Sequence, residues 1–178
     1  MQFNTTRFGV VEYEDEQVVT FPEGLPGFDD ARRFVFLPLP GGSCSLNWMQ
    51  CIDDREYGPA LAFPVVSPWK IAPNYAPTIP GPAIRSLGIS DVRSQVQLWS
   101  IVTVPRDRPY DATVNLLAPI VVNRETHIAR QVVLLADEAA LRTPLRPADR
   151  SGAEVEPPAR ALPTVSRPLR RSAAVGSR

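Results

Sequence analysis

The sequence predicts an antiparallel all-β domain with minor helix, a small barrel-like fold followed by a disordered tail. Three observations predict it. Apolar residues make up 44% of 178 residues, enough for one buried core. The apolar runs are short, β-branched and broken by turn residues. Proline is abundant, with 20 residues, and interrupts the chain across Pro68–Pro82, at Pro105 and Pro119 and along the tail.

Strands are expected in order along the chain. Phe8–Tyr13, Val18–Phe21, Phe34–Leu37, Asn47–Cys51 and Ala60–Val66 are short and rich in strand formers. Asp29–Arg33 is read as one short helical turn. Pro68, Pro73, Pro77, Pro80 and Pro82 make their stretch an extended loop. Ala83–Leu87 is the best helix, ended by Gly88. Gln95–Val104 reads QVQLWSIVTV. Val96, Leu98, Val102 and Val104 share one face and Trp99, Ile101 and Thr103 the other, so both faces should be buried, as in a central strand. Pro119 should bend Thr113–Asn123 into two short strands. Ile120–Leu135 is expected to form a hairpin around the polar turn Asn123–His127.

The ordered body should span 1–144 and the tail 145–178. Prolines deny the tail a ladder or a helix, and it is read as disordered without a function, ahead of contact with RNA or with the acidic body itself. Net charge is zero, but Arg142–Arg178 carries eight Arg against three acidic residues, or +5. The remaining eleven basic and sixteen acidic residues leave Met1–Leu141 at −5. An acidic body repels a phosphate backbone and suits a basic protein partner. Neither a signal peptide nor a membrane span is legible, so a cytoplasmic protein is expected. Asn4-Thr5-Thr6 is then a coincidental glycosylation match.

No catalytic or cofactor-binding constellation is visible. His127 is read as an exposed turn residue. Cys44 and Cys51 lack metal or redox spacing and are read as reduced and structural. Glu12, Glu14, Asp15 and Glu16 form an acidic cluster in a turn, either a solvated face or a docking surface for a basic partner. FPEGLPGF, Phe21–Phe28, is a loop held by Pro and Gly, with Phe21, Leu25 and Phe28 as anchors for core closure or for a partner. Trp48 and Trp99 are expected in the core. Trp69, in the Pro-rich loop, has a better chance of exposure, although packing on the domain is still favoured.

FGVVEYEDEQVVTFPEGLPGF (Phe8–Phe28), NWMQCIDD (Asn47–Asp54), LAFPVVSP (Leu61–Pro68), WSIVTVP (Trp99–Pro105), TVNLLAPIVVN (Thr113–Asn123) and RQVVLL (Arg130–Leu135) occur in an order that resembles the FliW family of flagellar assembly factors. The resemblance covers nearly all of 1–144. It implies a small β-barrel-like fold without enzyme activity. It also implies two partners, the translational regulator CsrA and flagellin. Family members relieve CsrA repression of flagellin translation, and accumulated flagellin competes for them. Contacts are expected from the acidic cluster and from part of FPEGLPGF or NLLAPIVVN, with Asn115 and Leu117 in the latter. A flagellin-binding, chaperone-like module without CsrA is the alternative. The chain departs from the family at 41–45 and 55–58, in the proline content of 68–82, in a less acidic Ile84–Arg93, and in the tail.

Overall fold

The computed structural model describes residues 1–39, 46–54, 58–135, 138–145 and 164–166, the last three by backbone alone. The strand order begins with β1 (Gln2–Thr5) and β2 (Gly9–Glu12), paired antiparallel.

 β3 (Val19–Thr20), β4 (Arg33–Pro38), β5 (Leu46–Cys51) and β6 (Ala62–Val66) follow. Next come β7 (Thr78–Pro80), α1 (Gly81–Ser86), α2 (Val92–Gln95) and β8 (Val96–Thr103). β9 (Thr113–Val114), β10 (Ile120–Asn123), β11 (Ala129–Gln131), β12 (Thr143–Pro144) and β13 (Thr164–Ser166) complete the order.

The main sheet runs β11-β10-β8-β6-β5-β4-β3, with β9 paired to β8 and β12 paired to β9. Every pairing in it is antiparallel. Its ends meet where Thr20 bridges to Ile128 and the Thr20 amide donates to the His127 carbonyl at 2.8 Å. That contact nearly closes the sheet into a barrel and brings its two end strands together.

Register sorts the side chains. Phe34, Met49, Cys51, Val65, Ile120 and Val122 lie on one face and pack with Phe21 and Leu25. On the opposite face, the β1–β2 hairpin covers Val35 and Ile52 through Val11 and Tyr13. The stretch from Trp69 to Val96 covers Leu98 and Val121 through Ile79, Ile84 and Leu87. The expected all-β class with minor helix therefore holds.

Several elements differ from expectation. β1 was not anticipated, because Gln2 and Asn4 are polar; it forms against the alternating β2. Asp29–Arg33 makes no helix: the Arg32 and Arg33 amides donate to Asp53 Oδ2 at 2.6 and 3.0 Å, and Arg33 opens β4. The Pro68–Pro82 stretch is more than an extended loop, since it contains a 3₁₀ turn at Pro68–Lys70, β7 and the start of α1. Within it Trp69 is 5% exposed, and its indole N–H donates to the Tyr75 carbonyl at 2.9 Å. Helix α1 falls close to its expected place, with Gly88 (φ +64) at its end.

The Thr113–Asn123 run does divide. Asn115 Oδ1 accepts from the Leu117 and Ala118 amides, both at 3.0 Å, and turns the chain between β9 and β10. The expected hairpin forms from β10 and β11, and the Val132 and Leu134 amides extend it by donating to Pro119 and Leu117. In its turn, Asn123 Oδ1 accepts from the Glu125 and Thr126 amides. His127 takes the left-handed conformation (φ 55) and is half-buried rather than exposed. Proline does not exclude ladders throughout the C-terminal region either: Pro144 pairs with Thr113 at a strand end, and Thr164–Ser166 forms β13. The remainder of the tail, Cys44 and residues 55–57 lie outside the described residues.

Candidate partner-binding surface

Glu12 ends β2, and Glu14, Asp15 and Glu16 lead into a 3₁₀ turn over Asp15–Gln17. The turn is fixed by reciprocal bonds: the Gln17 amide donates to the Glu14 carbonyl at 3.0 Å, and the Glu14 amide to Gln17 Oε1 at 2.9 Å. All four carboxylates are exposed. Glu12 and Glu14, with Gln2, Tyr13 and Gln17, line an open cleft of about 670 Å³. Clustered exposed carboxylates steer a basic partner at long range, an effect that salt screens.

The FPEGLPGF residues separate. Phe21 is fully buried, edge-on to Phe34 with centroids 5.1 Å apart, and Leu25 is 2% exposed. Both close the core and offer no surface to a partner. Phe28 is exposed and meets Phe63 edge-on at 5.5 Å. Asn115 and Leu117 are half-buried: Asn115 holds the turn described above, and Leu117 packs on the cluster around Leu98.

Phe28 borders a row that sequence reasoning did not assign to a site. Phe36, Phe63, Trp99 and Ile101 are half-buried against the core of the sheet. Phe36 stacks on Trp99 with centroids 5.0 Å apart and planes 26° from parallel. The expectation that both faces of β8 are buried therefore holds for Val96, Leu98 and Val102 and fails for the Trp99 face. Val104 lies beyond β8 and is exposed. Trp48 is half-buried rather than core, edge-on to Phe8 and capped by the Arg7 guanidinium at 4.5 Å. A signal for the aromatic row was present in the i, i+2 spacing of Phe34 and Phe36 and of Trp99 and Ile101, but only cross-strand register brings the pairs together.

Cys51 is buried, with its Sγ 3.7 Å from Asp53 Oδ2. Burial pushes its thiol up to about 11, while the Asp53 backbone amide pulls the other way. A neutral thiol at ordinary pH is a packing group rather than a nucleophile. Among the described residues, no group of three or more His, Cys, Asp or Glu is placed to hold a metal ion, and no helix is long and apolar enough to cross a membrane.

A nearly closed antiparallel sheet that carries an exposed acidic turn and a half-buried aromatic row defines a small β-barrel-like protein. The comparisons with known proteins make this specific. The family model described as FliW protein matches residues 2–145. A flagellar assembly factor FliW from Bdellovibrio bacteriovorus is 41% identical over 145 residues, covering 82% of this chain and 79% of that protein. One from Heliobacterium modesticaldum is 40% identical over 151 residues, covering 85% and 94%. A crystal structure of the flagellar assembly factor FliW superposes with a TM-score of 0.68 at 28% identity, covering 85% of this chain and 99% of that one. The chain belongs to the FliW family.

Proposed function

We propose that this chain binds CsrA, relieves its repression of flagellin translation, and releases it when flagellin accumulates. Family membership supports the reading. The observation that carries it to particular residues is the exposed acidic turn of Glu12, Glu14, Asp15 and Glu16 on a body of charge −5. Such a surface suits a basic RNA-binding protein and disfavours RNA itself. Phe28 and the row of Phe36, Phe63 and Trp99 supply apolar contact area, where aromatic residues anchor interfaces. The protein works by binding, with no catalytic step and no cofactor, in the cytoplasm where both partners are made.

Exchange requires that the two partners compete or be negatively coupled. A hundredfold coupling needs only about 2.7 kcal/mol. Association of CsrA, measured as a function of salt, tests the acidic turn. Replacing Glu12, Glu14, Asp15 and Glu16 by Lys should slow association about tenfold at low salt and flatten its salt dependence. Unchanged kinetics at low salt would remove this turn from the interface. Flagellin binding without any CsrA binding would favour the chaperone-like alternative, in which the apolar face of an amphipathic helix lies on the aromatic row.

A further inference from the structure

β7 stands outside the main sheet, and its strand partner is β13, from the tail. The pairing is parallel, Thr164 to Thr78, Val165 to Ile79 and Ser166 to Pro80, and β13 also lies against α1. Ile79 is fully buried among Trp69, Ala83, Ile84 and Leu87, so β7 is anchored to the body through its side chain. Its backbone pairs with β13. Pro77 and Pro80 carry no amide hydrogen, so Ile79 is the β7 residue whose amide can serve this parallel pairing. The matching tail segment is equally bounded: Thr164-Val165-Ser166 is a short run with two β-branched residues between Pro163 and Pro168.

We propose that Thr78–Pro80 is a strand-addition site for an extended peptide, and that Thr164–Ser166 is its built-in occupant. The tail thereby holds the site closed against other extended segments. Main-chain pairing supplies the affinity in this mode of recognition. Eighteen residues of the same chain, 146–163, separate the body from the docked strand in the sequence. Because both segments belong to one chain the docking is intramolecular, so a segment of modest affinity can occupy the site and still exchange. The charge of the tail, +5 against −5 for the body, favours the folded-back arrangement.

The test uses the full chain and the double variant Val165→Pro/Ser166→Pro, which cannot maintain the added strand. Amide exchange should show the Ile79 amide losing protection in the variant while Leu98 and Val121 keep theirs. Equal Ile79 protection in both chains, with the barrel amides intact, overturns the docking. A fluorescent peptide of residues 160–171 should bind the variant and bind the wild-type chain about tenfold more weakly. Equal binding to both, or no binding to the variant, overturns the occlusion.

Discussion

The loop Phe21–Phe28 and the segment Pro68–Pro82 are both stiffened by proline, yet different chemistry pins each to the barrel. The first is held by backbone geometry. Gly24 (φ +72) bonds its amide to the Phe21 carbonyl, a β-carbon there would run into the Asp29 backbone, and Phe21 and Leu25 drop into the core. The second is held by side chains. Trp69 is buried, its indole bonds to the Tyr75 carbonyl, and the Tyr75 hydroxyl donates to the Leu116 carbonyl at 2.6 Å. A loop pinned by backbone is sensitive to conformation, whereas one pinned by side chains is sensitive to the loss of a few large groups.

Breaking the second pin should have the largest effect. Trp69→Ala should destabilise the fold by about 3–5 kcal/mol, read by denaturant unfolding, because it opens a cavity and orphans the Tyr75 carbonyl. Gly24→Ala should cost about 1–3 kcal/mol through strain and the clash with Asp29, more than a surface Gly→Ala change allows. Tyr75→Phe keeps the ring and removes one bond, so about 1–2 kcal/mol should be lost. Phe28→Ala should move stability by less than about 1 kcal/mol and weaken partner binding, which separates surface from core within one loop.

Much of the fold was legible because it rests on short-range pattern. The bend at Pro119, the Asn123 turn and the end of α1 at Gly88 are local chemistry, and each stands where the residues place it. Trp69 was harder to place, since its burial depends on Tyr75 and on the outer face of β8, far along the chain. The aromatic row was missed for the same reason: Phe36, Phe63 and Trp99 come from three strands whose register no local pattern reveals. The acidic turn was legible as a cluster, whereas the burial of Phe21 and Leu25 beside an exposed Phe28 depended on the tertiary fold.

Cys51 gives a pH test of the core. Its raised thiol pKa means that the folded state favours the protonated form, so its contribution to stability is present below the ordinary thiol range and is lost as pH rises through about 11. Iodoacetamide at pH 8 should leave Cys51 unmodified in the native chain and alkylate it in denaturant, as read by peptide mass mapping.

The central claim, partner exchange, is tested most directly by calorimetric titration of this protein with CsrA from the same cell, repeated with flagellin present. The account predicts tight CsrA binding that flagellin abolishes. Absence of a CsrA complex at about 100 μM, where weak contacts still register, or CsrA binding indifferent to saturating flagellin, would contradict it.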